Sequence, residues 1–378
     1  MPPPGMSANP RHLYVHVPFC ARRCSYCDFS IAVRQHVPID EYLNALRAEL
    51  AVCDRAKDEW RLDTLYFGGG TPSRLGAAGV SRALDLVRQH ATLEGDCEVT
   101  LEANPEDITV EAARRWHDSG INRLSIGSQS FDSRALEWMH RTHGSAQIED
   151  AVAAARAAGI DNLSLDLIFA LPEALGRNWK DDLERVIHLA PRHVSLYGLT
   201  IEPHTPAGRW RDRGTLREAP EERYESDFLT AHAALTAAGY EHYEVSNYAQ
   251  PGFRSRHNSA YWQRVPYAGV GPSAHSFDGM ARSWNVAPYA DWHRRLAAGA
   301  DVKAGSETLT LEERAAELVY LGLRISEGLP ADSAIVDRSS SWVKAGWAVV
   351  ANGRIRLTPL GWLRLDTFAA DLTLVPSP

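Results

Sequence analysis

No stretch of this sequence approaches the ~20 consecutive apolar residues that a bilayer-spanning helix requires, so nothing in it points to a membrane span. Positive charge is in short supply as well. The 40 Lys and Arg stand against 48 Asp and Glu, a formal net charge of −8, which argues against a general nucleic-acid binder. Cysteine is scarce and odd in number, with five among 378 residues. The opening Met1-Pro-Pro-Pro-Gly-Met-Ser-Ala-Asn-Pro10 has no apolar segment of the kind a secretion signal carries, and residues 1–11 are expected to form a disordered tail. A disulfide framework is disfavoured on both counts, and a reduced, cytoplasmic setting is expected.

What cysteine there is lies concentrated. Cys20, Cys24 and Cys27 fall within eight residues, directly after Leu13-Tyr-Val-His-Val-Pro-Phe19, which reads as a short buried strand running into a loop. Closely spaced thiolates on a loop are the usual holders of an iron–sulfur cluster. Three thiolates on a four-iron cluster leave one iron open to an exogenous ligand. Zinc is the competing reading, but it needs a fourth nearby Cys or His to close a tetrahedron, and His16 and His36 are wrongly grouped for that. Cys53 sits in a helix pattern and Cys97 opens a strand, so both read as small buried side chains.

A length of 378 residues suggests two domains. From the first strand onward, apolar strand patterns alternate with amphipathic helix patterns. A helix over 40–57 is followed by a strand at 62–67, a helix at 78–90 and a strand at 97–103. A helix at 110–119, a strand at 123–126, helices at 133–140 and 146–158, a strand at 163–169, a helix at 179–189 and a strand at 193–199 complete the series. Six β-then-α units with continuous apolar strands predict an α/β protein whose parallel sheet is covered by helices. Periodicity alone fits a doubly wound sheet and a partial barrel equally well. The unusual residues favour the barrel: the cysteine loop, Gly68-Gly-Gly-Thr-Pro72, Glu102, Gly127-Ser-Gln129 and Asp166 all fall at or near C-terminal strand ends, the face where barrel active sites are built.

Each of these groups also has an ordinary explanation. Three glycines before Thr-Pro make a sharp turn, although they equally permit close backbone approach to a ligand. Gln129 fits an exposed loop, and Asp166 fits a buried structural ion pair with Arg123 or Arg141. Their grouping on one face with the cysteine loop is what makes them a candidate site.

Taken in order, Tyr14-x-His16-x-Pro18-Phe19-Cys20-x3-Cys24-x2-Cys27, Gly68-Gly-Gly-Thr-Pro72, Glu102-x-Asn-Pro105, Gln129-x-Phe131 and Asp166-Leu-Ile resemble the coproporphyrinogen-dehydrogenase-like branch of the radical S-adenosylmethionine (SAM) superfamily, from about Leu13 to Ala370. The resemblance implies a partial (β/α)6 TIM-like barrel. It implies a [4Fe-4S] cluster held by Cys20, Cys24 and Cys27, with SAM chelating the open iron. It also implies SAM contacts from Tyr14, Tyr26, Gly69, Gly70, Thr71, Glu102, Gln129, Arg141 and Asp166, Arg141 being placed by its distance from Gln129.

Two departures separate this chain from the dehydrogenase itself. There the cluster motif continues Cys-x-Cys, whereas here Asp28 is followed by Phe29, and a long N-terminal extension has no counterpart among the dozen residues before the first strand. A third feature, Arg256-His257-Asn258-Ser-Ala-Tyr261-Trp262, resembles the signature of the haem-carrying members of the branch. For His257 two readings stand: an axial ligand beside flat aromatic walls for a porphyrin, or hydrogen bonds that fix a loop. No Cys-x-x-Cys-His is present, which excludes c-type haem attachment.

Beyond the barrel a helix is predicted over 220–239, and a Gly-Pro-rich passage at 265–272 crosses back toward the barrel. The loop-like composition of 298–306 suggests a boundary, giving a barrel over 12–240, a linking segment over 241–300 and a C-terminal unit over 301–378. In that unit Thr310-Leu-Glu-Glu313 is a capping box for a helix to Arg324, a second helix is expected at 330–345, and Asn352-Gly353 predicts a hairpin. Helix, helix, hairpin resembles a winged helix, but its neutral-to-acidic recognition region favours a lid or partner-docking role over nucleic acid. The resemblance thus implies a carrier that binds the cluster, SAM and haem, hands haem to acceptor proteins and possesses no nucleic-acid partner, with homodimerisation as a further expectation. The alternative it implies is an oxygen-independent coproporphyrinogen III dehydrogenase making protoporphyrinogen IX.

Overall fold

In the computed structural model, residues 10–53 and 60–373 are described. The expected tail, up to residue 9, and the end of the first predicted helix, from residue 54, lie outside the described residues.

Six parallel strands follow in space the order they have in sequence: β1 (His12–Val17), β2 (Arg61–Gly69), β3 (Thr92–Ala103), β4 (Arg123–Gln129), β5 (Asn162–Phe169) and β6 (His193–Gly198). Past β6 the chain forms an antiparallel hairpin, β7 (Glu241–Glu244) and β8 (Asn247–Ala249), whose second strand pairs with β6. It then returns across the molecule so that β9 (Ala268–Val270) lies parallel to β1. The first and last strands of this nine-stranded sheet do not pair with each other. The architecture is an α/β, partial (β/α)6 barrel.

The strands differ from the sequence reading in one instructive way. They are not uniformly apolar. Leu13, Val15, Val17, Leu65, Phe67, Val99, Leu101, Leu124, Ile126, Leu163, Leu165, Val194 and Leu196 form the outward-facing core shared with the helices. The alternate positions, which must point to the other face, are polar: Tyr14 and His16, Thr64 and Tyr66, Thr100 and Glu102, Arg123 and Ser125, Ser164 and Asp166, His193 and Ser195. The barrel interior is therefore a polar, hydrogen-bonded chamber rather than a packed aliphatic plug.

The helices form for reasons visible locally. The helix Val110–Ser119 starts where the Thr109 side chain accepts from Ala112 N and stops at Gly120, which takes a left-handed φ of 108°. The helix Ile39–Cys53 buries Tyr42, Leu43, Leu46 and Leu50, the face expected for it. It also buries Glu49, which accepts from Gly271 N (2.9 Å), Trp292 Nε1 (2.8 Å) and Asn285 Nδ2 (2.6 Å) and so pins the returning β9 segment against the start of the barrel.

Arg177 and Asp182 form a second buried anchor, Nε to Oδ2 at 2.9 Å, while the same carboxylate accepts from Ser130 Oγ (2.6 Å) and Phe131 N (2.9 Å) and fixes the loop after β4. Removing one member strands a buried charge, so Asp182→Ala is expected to cost about 3–5 kcal/mol in urea unfolding, against less than ~1 kcal/mol for an exposed pair such as Arg82–Asp40.

β10 (His275–Phe277), β11 (Ala281–Asn285) and β12 (Lys303–Thr308) make a separate antiparallel sheet, so part of the segment read as loop-like over 298–306 is a strand. The capping box at Thr310 and Glu313 is formed and opens the helix Leu311–Arg324. The single helix expected at 330–345 is two short ones, Ser333–Arg338 and Ser340–Lys344, broken where Ser339-Ser340-Ser341 offer side chains that compete for the backbone. A third small sheet combines β13 (Leu329–Pro330), β14 (Ala348–Ala351) and β15 (Arg354–Leu357). Asn352 and Gly353 turn its hairpin at φ of 54° and 70°, as the Asn-Gly pair predicts. Among the described residues no helix is long and apolar enough to cross a membrane.

Candidate functional site

A cavity of about 440 Å³ opens over the C-terminal ends of β2 to β6. Cys20, Cys24 and Cys27 line it, together with Tyr26, Gly69, Gly70, Thr71, Glu102, Gln129, Arg141 and Asp166. The fold thus brings together every residue expected to bind the cluster or SAM, with one exception. Tyr14 lies one layer lower, stacked on Tyr66 at 6.0 Å with its hydroxyl 3.2 Å from His16 Nδ1, and faces a neighbouring cavity. His257 is not at this pocket either.

The three cysteines are all without disulfides and partly exposed to the cavity. Burial pushes the Cys20 thiol up and raises Cys27 to about 11, and the neighbouring thiols add to both shifts. Thiols held close in a dry site are disfavoured as thiolates; the Arg141 and Arg23 guanidiniums offset this only in part, and bound iron would supply the remaining countercharge. Among the described residues no three His, Cys, Asp or Glu side chains converge tightly enough to hold a single metal ion, which suits a cluster whose irons take one thiolate each better than a zinc tetrahedron. Polar groups already address the sulfurs: Arg141 Nη1 donates to Cys24 Sγ at 3.4 Å, and Thr71 Oγ1 lies 3.4 Å from Cys20 Sγ. The residues present therefore fit a three-thiolate cluster. When bound, such a cluster supplies one-electron chemistry at an iron left open to a second ligand.

Opposite the sulfurs two glycines let the turn after β2 pack hard against the end of β1. Gly69 has φ of 114°, and a side chain there would meet the His16 ring at 2.6 Å; at Gly70 a Cβ would meet the Pro18 carbonyl at 2.7 Å. Gly70→Ala is expected to displace this turn and weaken SAM binding by about tenfold or more while iron content stays at the wild-type level, which calorimetry and iron analysis on one sample can check.

Two carboxyls and a guanidinium set the electrostatics. Glu102 accepts from Tyr66 OH (2.8 Å) and Gly69 N (3.0 Å), yet burial outweighs these bonds and raises it to about 7. Asp166 accepts from Ser125 Oγ (2.9 Å) and Ser164 Oγ (2.9 Å) and is also raised by burial. It has no ion pair with Arg123 or Arg141; serines hold it. Arg141 instead donates Nη2 to Asn104 Oδ1 (2.7 Å) and Gly127 O (2.8 Å), while its buried Nε has no protein partner. Gln129 ends β4 at φ of 64°, an unfavourable backbone for a non-glycine residue, and aims its side chain into the same cavity.

The supporting residues Ser125, Ser164 and Tyr66 were not singled out from sequence, and Asn104 figured only within the Glu102-x-Asn-Pro105 motif. The signal was present: Ser164 lies two positions from Asp166 on its own strand, and Ser125 and Tyr66 are the direct cross-sheet neighbours of Glu102 and Tyr14.

His257 is almost wholly buried at the N-terminal end of the barrel, on the helix Arg256–Trp262. Glu98 caps that helix through Arg256 N (3.1 Å) and His257 N (3.0 Å). The ring stacks on Tyr66 at 5.0 Å, its Nδ1 lies 2.6 Å from Thr64 Oγ1, and its Nε2 lies 2.8 Å from Tyr261 OH. Burial lowers it to about 3, so it is neutral. With both nitrogens engaged and no open face, the ring has no lone pair available to a haem iron. Of the two readings made from sequence, the structure matches the one in which His257 fixes the signature segment.

A strand-end cavity, three thiols on the loop after β1 and a polar barrel interior define a radical SAM protein, and residues 14–186 match the Radical SAM superfamily. Relatives narrow the class. The chain is 35% identical over 374 residues to the heme chaperone HemW of Mycobacterium tuberculosis, covering 97% of this chain and 96% of that one. It is 36% identical to HemW of Lactococcus lactis, covering 86% and 84% respectively. The fold matches that of the radical SAM coproporphyrinogen III oxidase HemN of Escherichia coli with a TM-score of 0.82, at 23% identity, over 97% of this chain and 90% of that one. The chain belongs to the HemW family.

Proposed function

We propose that the protein is a haem chaperone of the cytoplasm, binding a [4Fe-4S] cluster, SAM and haem and passing haem to acceptor proteins. The observation that carries this reading is the match to HemW proteins along nearly the whole chain, 96% of the length of one relative. Phe29, where the dehydrogenase pattern has a further cysteine, supports carriage over porphyrin decarboxylation.

In this reading Cys20, Cys24 and Cys27 hold the cluster. Gly69, Gly70 and Thr71 pass SAM's methionine group close to the backbone, and Arg141, already aimed at the cavity, pairs with its carboxylate. Glu102, Gln129 and Asp166 are offered to the ammonium and ribose hydroxyls, Tyr26 closes one wall, and Tyr14 acts from below by supporting Tyr66 and His16. His257 positions the barrel floor and does not ligate iron. The unit over 301–378 is a lid or docking surface for a protein acceptor or a second copy, with no role for nucleic acid.

The test is anaerobic incubation of cluster-loaded protein with haem, and separately with coproporphyrinogen III, SAM and reductant. Stoichiometric haem retention and transfer to an apo-haem protein, without carbon dioxide release, is the expected result. Continuous carbon dioxide release overturns the chaperone reading in favour of the dehydrogenase.

A further inference from the structure

A second cavity, of about 640 Å³, adjoins the first and shares Phe29, Gly69 and Glu102 with it. Its walls come from distant parts of the chain: Tyr261 and Trp262 on the signature helix, Tyr267, Phe277 on β10, and Arg282 on β11. Aromatic faces on several sides of a roomy cleft suit a large flat ligand.

The polar side chains lining this cavity include two imidazoles. His16 is one, but its Nδ1 meets Tyr14 OH at 3.2 Å and its Nε2 meets Ser30 O at 3.3 Å, so both nitrogens are engaged. His275, on β10, is the other imidazole lining it. It stacks beside Trp284 at 6.1 Å, and neither of its ring nitrogens has a hydrogen-bond partner among the described residues. Burial and the nearby Arg282 guanidinium lower its pKa, which keeps the ring neutral and a nitrogen lone pair available.

Two guanidiniums flank the same space. Arg264 donates Nε to Glu317 at 2.6 Å, and Arg282 pairs with the same carboxylate, so one acid serves two cations. Arg264 Nη2 is buried without a protein partner. A buried, unanswered donor on a guanidinium is suited to an incoming carboxylate.

We propose that this second cavity seats a metalloporphyrin, with His275 as the axial ligand to its iron and Arg264 and Arg282 pairing with its carboxylate side chains. This rests on the haem-carrying reading above and locates its cargo. The shared wall at Gly69 and Glu102 then places the porphyrin against the SAM pocket, with exposed Phe29 at the junction.

The test titrates haem into cluster-loaded, full-length protein and follows the Soret band and the ferric electron-paramagnetic spectrum. Wild type is expected to hold about one haem per chain with a nitrogen-ligand signature. His275→Ala is expected to bind at least ~10-fold more weakly and to lose that signature, and added imidazole is expected to restore it. Its iron and sulfide content and its SAM-dependent cluster spectrum, equal to wild type, show that the variant is folded. Arg282→Gln is expected to weaken haem several-fold but to leave binding of haem dimethyl ester, which lacks the carboxylates, unchanged. Wild type that binds no haem overturns the chaperone reading itself. Wild type that binds haem while His275→Ala gives the same affinity and spectrum overturns this assignment alone.

Discussion

Cys24→Ala is expected to abolish the cluster: iron content of anaerobically reconstituted protein should fall from about four per chain to below about one, with loss of the visible charge-transfer absorbance. Each of the three thiolates is assigned a different iron, so a missing one cannot be covered by the others. Cys24 is the sharpest choice because its sulfur also receives the Arg141 Nη1 donor, at 3.4 Å, and losing it leaves a buried guanidinium with one partner fewer. Cys53→Ala serves as the contrast, since that residue is exposed on the far end of its helix and outside the cavity. Wild-type iron in Cys24→Ala, or iron loss in Cys53→Ala, would remove the three-thiolate assignment.

A second large effect is expected from Glu102, and it is a pH effect. Its carboxyl is raised to about 7 in the folded protein, chiefly by burial. Its ordinary value is near 4.5. Between these limits the folded state binds more protons than the unfolded state, so stability falls as pH rises through that window. Above pH ~7 the full penalty amounts to on the order of 3 kcal/mol. Glu102→Gln removes the titrating group, so the SAM-free variant should melt several degrees above wild type at pH 8 and nearly with it at pH 5.

Ligand binding should reverse the balance. A SAM ammonium or sulfonium beside Glu102 favours the carboxylate, lowers its pKa and expels its proton. At pH 7 about half a proton per SAM should be released, seen as a buffer-dependent binding enthalpy in calorimetry. In Glu102→Gln the release should vanish and affinity should drop by about tenfold or more. Binding with no proton release and unchanged affinity in the variant would place SAM away from this carboxyl.

Neighbouring groups show why some of the site was legible and some was not. The cysteine spacing, the Gly68–Gly70 turn and the acids at strand ends are local features, and parallel strands carry them to one face without further information. The same holds for the Thr310 capping box and the Asn352-Gly353 hairpin, where a few adjacent residues decide the geometry. Asp166 was recognised as unusual, but the ordinary alternative offered for it, an ion pair with Arg123 or Arg141, is not formed: Ser125 and Ser164 hold it. A serine two positions away on a strand carries no charge signal, and only the sheet register brings it to the carboxylate.

His257 illustrates the limit more sharply. Its motif marked it as a functional residue, but Thr64, 193 positions earlier, occupies one nitrogen and Tyr261 the other. Glu49 likewise meets Asn285 across 236 positions and closes the molecule. Nothing in the sequence assigned His275 a ligand role, and only the fold sets it in an aromatic cleft beside Trp284.

From the amino-acid order alone came the β/α alternation, the trio of thiols and the family, because each is written in short-range spacing. The open barrel, the polar chamber inside it and the pairing of two cavities across Gly69 and Glu102 were decided only by tertiary structure. Those features depend on which distant side chains satisfy one another's hydrogen bonds, and local periodicity carries no record of that.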